Sequence, residues 1–209
     1  MSDLNFWLLF LTTAFALNIA PGPDLLFILT KTIRSGKKVG LASAAGVCTG
    51  ALFHVFAASV GLSAILVSSA LAFSIVKYIG AAYLLYLAYQ SLKSPGFDLN
   101  YEPSSSTENV FEAFKQGVLV DILNPKVAIF FMAFLPQFVR DGAGPVSLQL
   151  FYLGLIVIAV AIVVESAYVL AADKLSHRMR RSKTFSVWLD RIVGMMFAGL
   201  GIKLAWSTS

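Results

Sequence analysis

Asp24, Asp121 and Glu165 lie inside long apolar stretches, and two of the three stand beside prolines that interrupt those stretches. The first interruption reads Asn18-Ile19-Ala20-Pro21-Gly22-Pro23-Asp24, the second Asp121-Ile122-Leu123-Asn124-Pro125-Lys126, and the two are about half the chain apart. Proline has no N–H and clashes with the turn before it, so Pro21 and Pro23 free carbonyls upstream while Gly22 supplies backbone freedom. The first half-helix is expected to end near Asn18. Asn124-Pro125 is an N-cap followed by the favoured first helical residue, which starts a fresh helix. Freed carbonyls attract a cation and a helix N-terminus attracts an anion. A small zwitterion suits this pair: its carboxylate at the second break with Lys126 nearby, its ammonium at Asp24, Asp121 or the open carbonyls.

Each acid also has a structural reading. Asp24 can cap a new N-terminus, and Asp121 can pair internally with Lys126 about one turn on. An Asp at the centre of a bilayer costs roughly 2.5 to 3.5 kcal/mol on insertion scales, so Asp24, Asp121 and Glu165 are expected to face a bundle interior or water. Glu165 is placed on a face with Ala161, Ile162 and Tyr168 and has no basic residue within a turn, which leaves a proton or a substrate amine as partner. His54 continues the series Ala42, Gly46, Gly50, so its imidazole points inward, either to titrate with proton movement or to pack. Asp24, Asp121, Glu165 and His54 are thus the proton-coupling candidates. Cys48, the single cysteine, reads as a small apolar packer. Two histidines without a Cys or His cluster offer no metal site, and no phosphate-cradling glycine loop implies a nucleotide or other cofactor.

The elements that hold these residues follow from composition. With 58% hydrophobic and 13% charged residues and a mean hydropathy of +0.79, the chain belongs in a bilayer. No Asp, Glu, Lys or Arg occurs between Lys38 and Lys77. Apolar runs long enough to cross a ~30 Å core can be placed at 6–30, 40–66, 70–92, 116–139, 147–172 and 187–206. The expected fold is an all-α membrane protein of six transmembrane helices in one integral domain, with helices one and four broken. Residues 1–92 and 110–209 form its two halves, joined by a polar linker at 93–109 that contains Pro95, Gly96 and Pro103.

Lys and Arg concentrate in segments 31–38, 93–115 and 174–183, against Arg140 on the other side with Lys77 and Lys203 near span ends. The positive-inside rule then puts both termini outside the cytoplasm. A three-helix half that starts outside is followed by one that starts inside, so a duplication must be inverted. Counting about ten residues from each break to its cytoplasmic edge, at ~1.5 Å per residue, puts both breaks near mid-membrane.

The net charge of +5 is explained by basic helix ends against anionic lipid headgroups, not by a nucleic-acid partner. Residues 1–5 contain no Lys or Arg, which argues against a signal peptide in spite of Ala14-Phe15-Ala16. Gly46-x-x-x-Gly50 and Gly194-x-x-x-Ala198 suit close helix contacts, within the bundle or in a homodimer. Tyr78, Tyr83, Tyr86, Tyr89, Trp7, Trp188 and Trp206 read as interfacial anchors and core.

Two motifs together resemble the LysE/RhtB amino-acid exporters, in the branch with homoserine and threonine efflux proteins. The first is Pro21-Gly22-Pro23-Asp24 running to Lys31, with Arg34-Ser35-Gly36, Gly40, Gly46 and Gly50. The second is Gly117-x-x-x-Asp121-x-x-Asn124-Pro125-Lys126 running into Phe134-x-Pro136-Gln137-Phe138. The resemblance implies proton-driven export of small amino acids across a bacterial-type cytoplasmic membrane by an inverted bundle, with Pro21, Pro23, Asp24, Asn124, Pro125 and Lys126 as its functional elements. Asn18, Gly22, Asp121, Glu165 and His54 are added from their own chemistry. The alternatives are a metal-ion or other small-solute exporter, disfavoured by the missing His and Cys cluster, and a membrane-embedded enzyme, for which no nucleophile or metal set is found.

Overall fold

The computed structural model describes residues 3–20, 22–62, 70–93 and 109–174, with isolated helical positions beyond 186. Pro21, Gly194, most of the 93–109 linker and most of the sixth expected span lie outside the described residues. All regular structure among the described residues is helical.

The first apolar stretch folds as α1 (Asp3–Ile19) and α2 (Pro23–Ser35). Then come α3 (Lys37–Ala57), which continues through a π-helical turn at Ala58–Leu62, and α4 (Ala70–Lys93). The second break separates α5 (Val110–Ile122) from α6 (Pro125–Ile129), which runs on through a π turn at Phe130–Phe134 and a 3₁₀ turn at Leu135–Phe138. The last long helix is α7 (Val146–Lys174). Helices Lys37–Gly61 and Val146–Lys174 are long and apolar enough to cross a membrane, and the pairs α1/α2 and α5/α6, each bent by more than 40°, bring the candidate spans to four.

Both breaks fall where proline chemistry puts them. α1 stops at Ile19 because Pro21 and Pro23 cannot donate to Leu17 and Ile19. Pro23 then opens α2 as its first residue. At the second break the Asn124 side chain accepts from the Lys126 N–H at 3.1 Å, and Pro125 occupies the first helical position. Several boundaries differ from the hydropathy reading. α2 extends to Ser35 rather than residue 30, ending at Gly36 with φ +82. α5 begins at Val110 rather than 116, because the Asn109 side chain caps it at the Phe111 N–H, 2.9 Å away.

Glycine sets how closely the elements approach. A Cβ on Gly46 would meet the Phe114 carbonyl oxygen at 2.1 Å, and one on Gly117 would meet the Ser43 carbonyl oxygen at 2.4 Å. Gly50 lies against Val118 and Asp121 in the same way. The Gly46-x-x-x-Gly50 stripe therefore serves contact within the bundle, between α3 and α5. Lipid is as apolar as a helix surface, so such backbone-to-backbone packing, not burial of apolar area, is what holds two membrane helices together. α7 closes the bundle along a seam of Leu150, Leu153, Gly154, Val157, Ile158, Ala161, Val164 and Glu165, all buried. Ile162, expected on the Glu165 face, instead points outward and is 52% exposed. Tyr78, Tyr86 and Tyr89 on α4 are exposed, as interfacial anchors would be; the Tyr83 side chain lies outside the described set.

Candidate functional site

The two breaks meet. Lys126, in the first turn of α6, reaches across to the first break, where its Nζ donates to Asp24 Oδ1 at 2.9 Å and Oδ2 at 2.8 Å. The same nitrogen lies 3.1 Å from the Ala20 carbonyl oxygen and 3.5 Å from that of Leu17. Leu17 is the residue whose carbonyl Pro21 cannot serve. The cation that the freed carbonyls were expected to attract is thus a side chain of the other half. Asp24, in the first turn of α2, directs both carboxylate oxygens to Lys126, and Lys126 pairs with it and not with Asp121. A second helix starts between Asp121 and Lys126, so the bend turns their side chains apart.

Gly22 makes room for this pair. Its backbone is extended (φ −159, ψ 176), open to any residue, but an added Cβ would lie 2.5 Å from Asp24 Oδ1 and 2.7 Å from Lys126 Nζ. Gly22→Ala is expected to push the pair apart and cost about 1 to 3 kcal/mol, read as a lower melting temperature of the detergent-solubilised protein.

The second break is satisfied by the same logic. Pro125 cannot donate to the Asp121 carbonyl, and His54 on α3 supplies a donor through Nε2 at 3.0 Å. That bond requires the Nε2–H tautomer. The imidazole is 6% exposed and stacks on Phe131, so the inward orientation expected for His54 is observed. The carbonyls of Leu17 and Asp121, freed by Pro21 and Pro125, are each met by a side-chain nitrogen from a different element.

Asp24, Asp121 and Glu165 line one small cavity with Asn18 and Cys48. Its volume is about 20 Å³, room for about one water. Asp121 is 1% exposed, Glu165 4% and Asn124 1%. Among the described residues neither Asp121 nor Glu165 pairs with a Lys or Arg, and Asp121 Oδ2 and Asn124 Nδ2 are buried without a hydrogen-bond partner. Such groups are costly and rare in a packed interior. Asn18, near the end of α1, turns its amide back to the Ala14 carbonyl at 2.7 Å.

Cys48 departs from the sequence reading. Its thiol donates to Glu165 Oε2 at 3.4 Å, so it orients a carboxylate rather than merely filling space. A wider, mostly apolar cavity of about 360 Å³ opens between α3 and α7, and Cys48 and Ile158 line both cavities. The available signal for Cys48 was its register on α3 with Ala44, Ala51 and Val55, one inward-facing row. Among the described residues no group of His, Cys, Asp and Glu could hold a metal ion.

A homoserine/homoserine lactone efflux protein of Salmonella typhimurium is 31% identical over 201 residues, 96% of each chain. The protein of the same name from Salmonella typhi is 30% identical over 201 residues, again 96% of each. An uncharacterized membrane protein of Vibrio cholerae is 30% identical over 203 residues, 97% of this chain and 98% of its own. No solved structure matches the chain. The LysE type translocator family matches residues 15–208, a range that holds both breaks and every acid of the cavity, and this multi-pass membrane protein belongs to that family.

Proposed function

We propose that this chain is a secondary-active exporter of small amino acids, homoserine- or threonine-like neutral solutes or basic ones, driven by proton antiport across a bacterial-type cytoplasmic membrane. The observation that carries this reading is the small cavity where the two broken helices converge, lined by Asp24, Asp121 and Glu165, with Lys126 bonded to Asp24. An ion pair accounts for one of the acids. Among the described residues the other two pair with no Lys or Arg, and Asp121 Oδ2 has only His54 Nε2 at 3.9 Å, so a proton or a substrate ammonium is their counter-charge. Asp121 and Glu165 are the proton carriers in this reading, with His54 linked to Asp121 through the backbone bond.

A cavity that admits about one water cannot hold an amino acid, so the described conformation is a substrate-free, contracted one in this scheme. Rocking residues 1–92 against 110–209, as two inverted three-helix repeats, would part α1/α2 from α5/α6 and open the cavity to each side in turn. Both termini lie outside the cytoplasm, and the basic helix ends face its anionic lipid. The relatives named for homoserine and homoserine lactone efflux make those solutes the first to test.

The test is counterflow in proteoliposomes holding the purified protein, using labelled L-homoserine, L-threonine and L-lysine with an imposed proton gradient and a protein-free control. Gradient-dependent accumulation of an unaltered amino acid supports the reading; no movement through folded, inserted protein overturns it. Asp121→Asn is expected to keep the melting temperature within a few degrees and to abolish accumulation against a gradient. Normal accumulation by that variant would remove Asp121 from the coupling site.

A further inference from the structure

Lys126 is held more completely than an ion pair requires. Its Nζ faces both oxygens of Asp24, at 2.9 and 2.8 Å, and the carbonyl oxygens of Ala20 and Leu17, at 3.1 and 3.5 Å. All of these acceptors belong to one broken helix: the carbonyls end α1 and the carboxylate stands in the first turn of α2. The side chains are nearly sealed, with Lys126 2% and Asp24 8% exposed. Nothing in this acceptor set depends on the cation being tethered to α6. Any primary ammonium presents the same three N–H donors around a tetrahedral nitrogen.

We propose that this cradle is the subsite for the primary ammonium group of the transported solute, and that Lys126 is its internal occupant, displaced when the solute enters. That the solute is an amino acid rests on the exporter reading above, whereas the cradle's preference for a primary ammonium does not. Asp24 both lines the small cavity and holds Lys126, so a solute in a widened cavity meets the same carboxylate. Asp121 Oδ2, buried without a hydrogen-bond partner and 3.9 Å from His54 Nε2, offers the displaced lysine a second carboxylate. The missing Cβ at Gly22 leaves the room that the ammonium and the carboxylate occupy, since an added one would lie 2.7 Å from Lys126 Nζ. The exchange swaps one ammonium for another on Asp24, so the carboxylate is never left bare in an apolar interior, which would be the costly step.

The test removes the occupant and supplies a free one. Purified Lys126→Ala is titrated with methylammonium chloride, against sodium chloride and tetramethylammonium chloride at equal ionic strength, with the melting temperature as readout. Methylammonium at ten times its dissociation constant should raise the melting temperature of the variant by about 3 to 6 °C and saturate. Tetramethylammonium, which has no N–H, should not, and the wild type, with its cradle filled, should show no saturable shift. If Lys126→Ala is not recovered folded, purification in methylammonium should restore it. No selective shift in folded variant, or no recovery with the amine present, overturns the proposal and leaves Lys126 as a structural strut. Failure of amino-acid counterflow would sink the exporter reading without changing the methylammonium result.

Discussion

Asp24→Asn is expected to lower the stability of the protein by about 3 to 5 kcal/mol and to abolish transport, whereas Asp24→Asn/Lys126→Met recovers the stability and not the transport. The reason is the asymmetry of a buried pair. Lys126 is 3% exposed, and without the Asp24 charge its ammonium retains only the carbonyls of Ala20 and Leu17. An uncompensated buried charge costs far more than the pair contributed. Replacing both partners with neutral side chains of similar length removes the charge with the countercharge and keeps much of the packing. Thermal unfolding in detergent and counterflow per folded molecule separate the two effects. A double variant that transports normally would show that the pair is scaffolding alone.

The second large effect lies where α3 crosses α5. Gly46→Val and Gly117→Val are each expected to yield no monodisperse folded protein, because the atoms in the way are backbone. A Cβ at Gly46 would stand 2.1 Å from the Phe114 carbonyl oxygen, and one at Gly117 would stand 2.4 Å from the Ser43 carbonyl oxygen. Overpacking that flexible side chains relieve costs about 1 to 3 kcal/mol, and here a whole helix must move instead. Asp121 and His54 sit on these two helices, so separating them also breaks the 3.0 Å bond between the imidazole and the Asp121 carbonyl. Gly61→Ala is the control, since nothing lies within 4 Å of the added carbon. Size-exclusion profiles of the three variants, prepared in parallel, check the expectation.

The breaks were legible in the sequence because proline acts locally. Pro23, Pro125 and the Asn124 cap dictate where a helix stops and another starts whatever surrounds them, and α1 duly ends at Ile19 and α6 starts at Pro125. Partner choice was not legible. Lys126 lies close to Asp121 in sequence, yet it bonds to a carboxylate in the other half, a fact set by how two bent pairs cross. The facing of α7 was misjudged at Ile162 for a different reason. Water writes a polar face onto a soluble helix, but a helix in lipid is apolar all round, so periodicity cannot separate Ile162, 52% exposed, from buried Ala161 beside it. Cys48 was missed because its role depends on Glu165 of α7, 117 residues away. The same holds for the Leu17 and Asp121 carbonyls: proline announces that they are free, and only the fold names the nitrogens that take them.

The bond from Lys126 to Asp24 spans 102 residues of chain. At about 5 to 20 residues per second of synthesis, Asp24 leaves the ribosome several seconds before Lys126 exists. Through that interval Asp24 has no Lys126 to pair with. A fragment that ends before Lys126 never acquires its countercharge. The ion pair thus also sets an order of assembly: the first half can be neutralised only once synthesis has passed Lys126.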